Sequence, residues 1–141
     1  MVKFISTLLV AATLAAASFT TAAPVNKTAE PKVKAASSDF SGKATWFTGS
    51  YGACNYHWDG NNENIVALNA HQMGSQSWGN PECNKRVHIK NKANGKTVEA
   101  RIVDKCPGDE CAYGSLDLSP KAFKTIGNLD AGVLDIEWYY I

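Results

Sequence analysis

The chain is 141 residues long, and its 14 lysines and arginines almost balance its 13 aspartates and glutamates, giving a net charge of +1. This balance excludes the strongly basic surface that is typical of nucleic-acid-binding proteins, so no nucleic-acid partner is expected. The nearly neutral charge suits an uncharged polymer better as a partner. The length of the chain allows one domain with a single core.

The N-terminal residues have the pattern of a secretory signal followed by a linker. Lys3 precedes an apolar run over residues 4–17 and then small residues, which predicts a signal peptide over residues 1–22. The run is too short and too rich in alanine and threonine for a membrane span, so no membrane partner is expected. Residues 23–38 lack aromatic side chains and apolar periodicity, which predicts a disordered linker or pro-segment. We therefore expect a secreted, extracellular protein.

Residues 39–141 are predicted to form one domain built from short strands. Apolar and polar residues alternate in some segments, others are short apolar runs, and Asn94-Gly95 is a strong hairpin signal between two of them. The strands are predicted over residues 42–48, 65–68, 86–91, 96–103 and 133–141.

Two short helical segments are predicted between these strands. A helical turn is expected over residues 70–73, and a helix is expected with Ser119 as its N-cap, Pro120 as its first residue and Gly127 at its end. Six or so short strands with one or two small helices predict a mainly β fold, a small closed barrel. A monomer is expected, because the sequence shows no obvious exposed apolar strip.

The four cysteines all lie in this domain, and an even number in a secreted chain predicts two disulfides. Of the three pairings, Cys54–Cys83 and Cys106–Cys111 are favoured, because the second closes a small loop through Pro107-Gly108, a natural turn. A zinc site is the alternative, but Cys54 and Cys83 lack the short paired spacing of such sites. No metal and no cofactor are therefore expected.

Two aspartates, Asp104 and Asp117, each lie among apolar neighbours on either side of the cysteine loop. An ionised carboxylate is costly to bury without partners, so each is either held by hydrogen bonds or directed at a ligand. A carboxyl in a partly apolar setting can act as a general acid, which makes Asp117 the first candidate. In the structural alternative, Asp104 binds loop amides and Asp117 fixes the turn before the helix.

Aromatic side chains in loops and near strand ends are candidates for stacking on the apolar faces of sugar rings. The alternative is core packing, which we expect for at least one of Trp46 and Trp138, because both lie in strands. The candidate binding aromatics are Trp46, Tyr56, Trp58, Trp78 and Tyr113.

Six motifs, in the order in which they occur along the chain, resemble those of the double-psi β-barrel of expansin-like and rare-lipoprotein-A-like proteins. The resemblance is greatest to the single-domain fungal loosenins. The resemblance covers essentially all of residues 39–141. It is carried by residues 42–47, 51–54, 66–69, 80–85, 103–107 and 114–123.

The resemblance implies a six-stranded double-psi β-barrel with an open polysaccharide groove. Thr45, Asp104 and Asp117 match the groove's polar residues by motif. A groove tyrosine of bacterial-type expansins is replaced here by Cys106, and Tyr113 is the candidate substitute. The implied function is that of a secreted, non-hydrolytic protein that binds cellulose or chitin in cell walls and loosens it.

Two alternatives come from other proteins with this barrel. In family 45 endoglucanases two carboxylates are catalytic, and Asp117 resembles their general acid, but residues 44–50 contain no acidic residue to serve as base. This departure argues against ordinary hydrolysis, although a weak endoglucanase or lytic enzyme stays open. Other secreted barrels inhibit cysteine proteases, and here loops 51–64 or 75–83 would enter the protease cleft.

Overall fold

The computed structural model describes residues 38–141. The predicted signal peptide, residues 1–22, lies outside these residues, and so does the predicted linker, residues 23–38, apart from its last residue. Within the described residues no helix is both long and apolar enough to cross a membrane.

The described chain folds into a closed barrel of six strands, which two short helices and one 3-10 turn connect. The strands are β1 Phe40–Trp46, β2 Ile65–Asn69, β3 Arg86–Asn91, β4 Thr97–Cys106, β5 Leu116–Leu118 and β6 Leu134–Tyr140, the helices are α1 Ala70–Met73 and α2 Pro120–Ile126, and the turn is Leu129–Ala131. The spatial order of the strands is β1-β5-β2-β4-β3-β6. The predicted mainly β barrel with short helices is confirmed.

Strand β5 has only three residues, yet it joins the two halves of the barrel. It pairs in parallel with β1 and antiparallel with β2, and β2 in turn pairs in parallel with β4. A Leu-Asp-Leu segment is too short to show a period, so sequence patterning did not mark it as a strand. Its neighbours come from distant parts of the chain, and they position Asp117 at the centre of one barrel face.

The barrel interior is filled by the inward-facing residues of all six strands and is closed at one end by α2. Trp138 is fully buried, as expected for a strand tryptophan, and its indole Nε1 donates to the Gly114 carbonyl at 2.8 Å. Phe123 and Ile126 of α2 are fully buried in the same core. This core holds the strands rigidly, so outward-facing side chains have fixed positions.

Both predicted disulfides are present, and the described residues include no free cysteine. Cys54–Cys83 joins the loop after β1 to the loop before β3, across a sequence separation of 29. Cys106–Cys111 closes a small loop directly after β4. The two crosslinks therefore restrain the loops that surround one face of the barrel.

Ser119 caps α2 as predicted, and it also connects the helix to β2. Its Oγ accepts from the Ala122 amide at 3.3 Å and the Ile65 amide at 3.2 Å, and it donates to the Glu63 carbonyl at 2.8 Å. The side chain is fully buried. We expect Ser119→Ala to lower the free energy of unfolding by about 2 kcal/mol, because a helix cap and two further buried hydrogen bonds are lost.

Urea unfolding measures this change, and Thr125→Ala is the matched control in the same helix. Thr125 is exposed and donates only to the Lys121 carbonyl, so its loss should cost less than about 0.5 kcal/mol. Equal effects of the two substitutions would contradict the role of Ser119.

Candidate functional site

Strand register aligns four residues in one row across four neighbouring strands. Thr45 of β1 pairs with Asp117 of β5, Asp117 pairs with Ala67 of β2, and Ala67 pairs with Asp104 of β4. Directly paired residues project from the same face of a sheet, so these four share one face. The neighbours of Asp117 and Ala67 along their strands fill the core, so the row faces outward; these neighbours are Leu116, Leu118, Val66 and Leu68. We call this set the groove row. Its two aspartates are two strands apart, which corresponds to about 10 Å between their backbones.

A β-bulge in β4 puts Asp104 into the groove row. Val66 pairs with Ile102, but the next residue, Ala67, pairs with Asp104, so Val103 is the extra residue. Regular pairing would place Val103 opposite Ala67 and turn Asp104 toward the interior. Bulges redirect side chains in this way and are frequent near functional sites.

Asp117 lies in a partly buried, hydrogen-bonded position at the centre of the groove row. The Thr45 hydroxyl donates to its Oδ1 at 2.7 Å. Burial raises the pKa of the Asp117 carboxyl above the ordinary value; the Thr45 hydrogen bond opposes this, and the nearby charges of Glu110 and Asp104 add to it. Asp117 therefore keeps its proton to a higher pH than an ordinary aspartate.

Asp104 is held tightly against the loop that follows β1. Its Oδ1 accepts from the Ala53 amide at 2.7 Å and from its neighbour Lys105 at 2.8 Å. Gly52 lies directly beneath the carboxyl, and a Cβ there would lie 2.2 Å from the Asp104 Cγ. These contacts agree with the structural alternative, in which Asp104 binds loop amides. The bulge nevertheless keeps the Asp104 side chain in the groove row.

The barrel and its groove row belong to a known type of protein domain. A family model described as lytic transglycolase, of double-psi β-barrel type, matches residues 39–138. The chain belongs to this double-psi β-barrel family. The predicted resemblance to expansin-like and rare-lipoprotein-A-like barrels is therefore confirmed.

Two similar proteins illustrate the range of this family. The chain is 35% identical over 121 residues to the Allergen Asp f 7 homolog of Arthroderma benhamiae, which covers 76% of this chain but 41% of the relative. It is 32% identical over 102 residues to the papain inhibitor of Streptomyces mobaraensis, covering 71% of this chain and 70% of the inhibitor. The chain thus spans well under half the length of the first of these relatives.

Solved structures show the same barrel. The Streptomyces papain inhibitor superposes with a TM-score of 0.63 at 32% identity, covering 72% of this chain and 92% of the inhibitor. A mutant of the Clavibacter michiganensis expansin in complex with cellohexaose superposes with a TM-score of 0.59 at 23% identity, covering 72% of this chain and 50% of the expansin. At that identity the expansin establishes a shared fold only.

The candidate aromatics lie around the double-psi barrel rather than in the groove row. Trp46 follows Thr45 and projects from the opposite face of β1, where its Nε1 donates to the Leu129 carbonyl at 3.1 Å. Trp58 was expected to be a surface aromatic, but it is only 5% exposed. It packs with Ile65 and Val103 on the outer side of β2 and β4, because the loop after β1 folds back over these strands.

The other three candidates are exposed, as Trp46 also is. Trp78 is 75% exposed in the loop before β3. Tyr56 lies beside the Arg101 guanidinium, 5.6 Å from its ring centre, and Tyr113 contacts Phe40 edge-on at 6.2 Å between ring centres. These side chains offer apolar faces to solvent, but on separate parts of the surface.

Sequence reasoning missed three residues of the site. Ala67 is the floor between the two aspartates, and Phe47 packs on the outer face beside it, two residues after Thr45. The period of two in a strand could have identified Phe47 as a neighbour of Thr45. Glu110 acts on Asp117 through its charge from the exposed loop closed by Cys106–Cys111, which no local pattern reveals.

Proposed function

We propose that this chain is a secreted protein that binds a wall polysaccharide, cellulose or chitin, across the groove row and loosens contacts between glycan chains without cutting them. The observation that carries the proposal is the row itself, in which Thr45, Asp117 and Asp104 face outward over the small side chain of Ala67. The expansin structure with cellohexaose supports it as a protein of the same fold with a bound glucan. The two disulfides suit an oxidising, extracellular compartment.

The chemistry of the groove row suits competition for glycan hydroxyl groups. Asp117 and Thr45 already form a hydrogen-bonded pair, so they are preorganised to exchange hydrogen bonds with a sugar hydroxyl. Asp104 is fixed by two amides and offers its remaining carboxylate oxygen. Such contacts replace hydrogen bonds between neighbouring glycan chains, which weakens a fibre without breaking covalent bonds.

Cleavage is not part of this proposal because the partner expected for Asp117 is missing. Residues 44–50, where a general base would be expected from family 45 endoglucanases, contain no acidic residue. Loss of such a base typically reduces the rate by orders of magnitude. Among the described residues, Asp104 is the other carboxylate of the row, and its position is set by backbone amides.

A second candidate function, inhibition of papain-like proteases, is favoured by the similarity to the Streptomyces inhibitor. Cys54–Cys83 ties the loop containing residues 51–64 to the loop containing residues 75–83. Asn80, almost fully buried, donates to the Met73 and Gln76 carbonyls and so shapes the loop that exposes Trp78. A rigid exposed loop of this kind is what a protease cleft can accept.

We expect the protein to weaken cellulose or chitin fibres without releasing soluble reducing ends, and to leave papain activity unchanged at micromolar concentration. Fibre strength, reducing ends and papain activity are measured with one preparation. Released reducing ends would identify an enzyme instead. Papain inhibition without fibre weakening would establish the second candidate and contradict the proposal.

A further inference from the structure

Tyr51 is an exposed aromatic residue at the Asp104 end of the groove row, and the function proposed above gives it no role. Its side chain is 53% exposed. It directly precedes Gly52, where an added Cβ would lie 2.2 Å from the Asp104 Cγ. Since consecutive Cα atoms are about 3.8 Å apart, the Tyr51 Cα lies within about 8 Å of the Asp104 carboxyl. The phenol ring is therefore within reach of a glycan that lies across the row.

The turn that follows Tyr51 is fixed to strand β4, which carries Asp104. The Ala53 amide donates to Asp104 Oδ1 at 2.7 Å, and the Cys54 amide donates to the Val103 carbonyl at 3.2 Å. The disulfide of Cys54 adds a covalent restraint to the same turn. The backbone next to Tyr51 therefore keeps a constant position relative to the Asp104 carboxyl.

The Tyr51 ring is supported on one face and at its tip. Its centre lies 4.8 Å from the centre of the His57 ring, with 39° between the two planes, and the backbones of these residues pair in a β-bridge. The phenol hydroxyl donates to the Asn55 side-chain oxygen. More than half of the side chain is nevertheless exposed. A ring restrained in this way loses little conformational freedom when a ligand covers its open face.

Two other exposed aromatic residues provide a comparison. Trp46 is next to Thr45 of the groove row, but it projects from the opposite face of β1. Tyr56 is 40% exposed, and its ring centre lies 5.6 Å from the Arg101 guanidinium. Tyr51 differs from both, because the residue after it lies against the carboxyl of a member of the row.

We propose that Tyr51 is the stacking platform for one pyranose ring of a glycan that lies across the groove row. The C–H face of a β-linked sugar ring is flat and apolar, so it can pack on the phenol ring while hydroxyl groups of the sugar reach the Asp104 carboxylate. The inference rests on the proposed function, because the groove row must hold the rest of the glycan. It adds an aromatic contact to a row whose other members are polar or small.

The test compares Tyr51→Ala with Tyr56→Ala by isothermal titration, with cellohexaose and chitohexaose as probes. We expect Tyr51→Ala to weaken binding of the hexasaccharide about tenfold, because about 50 Å² of buried apolar surface is lost. Tyr56→Ala is the matched control, since it removes an equally large ring from the same loop, and its affinity should equal that of the wild type. Tyr51→Phe keeps the ring and should keep most of the affinity. Equal weakening by the two alanine variants would overturn the inference.

NMR spectra distinguish this inference from the proposed function. We expect nuclear Overhauser contacts between the Tyr51 ring protons, identified from the Tyr51→Phe variant, and C–H protons of the bound hexasaccharide. If a hexasaccharide shifts the Thr45 and Asp117 amides but makes no such contact with Tyr51, the inference is overturned and the proposed function stands. If neither hexasaccharide shifts these amides, both are overturned.

Discussion

Asp117→Asn should reduce fibre loosening at least about tenfold and, at neutral pH, make the protein more stable. The amide keeps an oxygen that accepts from the Thr45 hydroxyl, so the barrel is preserved. It cannot exchange a proton or carry charge, so its hydrogen bonds to sugar hydroxyls are weakened. Each lost hydrogen bond to a charged group corresponds to a reduction of about tenfold or more. We expect loosening to fall at least that far.

The gain in stability follows from the direction of the pKa shift. Burial raises the pKa of folded Asp117 above its ordinary value of 3.8. At pH values between 3.8 and the raised pKa, the native state therefore binds more protons than the unfolded state. The free energy of unfolding of the wild type therefore decreases as the pH rises through this range. The whole decrease is reached above the raised pKa. Asparagine does not titrate, so the melting temperature of the variant should exceed that of the wild type at pH 7 and approach it near pH 3.8.

Thermal melts from pH 3 to pH 8 measure this difference, with Asp130→Asn as control. Asp130 is exposed in the 3-10 turn, away from the groove row, so its substitution should change neither loosening nor the shape of the pH profile. An Asp117→Asn protein with full loosening activity would contradict the proposed function. A variant less stable than the wild type at pH 7 would contradict the burial argument.

Local signals in the sequence were enough to predict most elements of the fold. The start of α2 at Ser119-Pro120 is determined by capping within four residues, and the hairpin at Asn94-Gly95 is determined by the residues of its turn. Both could therefore be predicted without the rest of the chain. The disulfide Cys106–Cys111 spans a short turn and was predictable for the same reason.

The arrangement of the site depends on pairings between distant segments, which no local period encodes. Thr45 and Asp117 are 72 residues apart and are neighbours only because β1 and β5 pair in parallel. The bulge at Val103 follows from fitting β4 against β2, and it decides which way Asp104 faces. Trp58 is buried for a similar reason, since its loop finds an apolar surface on Ile65 and Val103.

Gly52→Ala should disrupt both the groove and the stability of the barrel. The added Cβ would lie 2.2 to 2.4 Å from the three carboxyl atoms of Asp104, so the carboxyl or the loop must move. Movement of the carboxyl breaks the hydrogen bonds from the Ala53 and Lys105 amides. We expect the free energy of unfolding to fall by about 3 kcal/mol, since overpacking and lost buried hydrogen bonds combine. Loosening should be lost as well.

A double-mutant cycle with Asp104→Ala tests whether the clash acts through this carboxyl. Without the carboxyl the new methyl group has room, so Gly52→Ala should cost less than about 1 kcal/mol in the Asp104→Ala background. Gly108→Ala is the matched control, because its Cβ would meet the end of the His71 ring at 3.3 Å and the Ala70 Cβ at 3.9 Å, and no backbone atom is this close. If Gly52→Ala lowers the free energy of unfolding equally in the wild-type and Asp104→Ala backgrounds, the glycine is needed only for the conformation of its own loop. Coupling of the two positions would instead show that the absence of a side chain at residue 52 is what allows Asp104 to remain in the groove row.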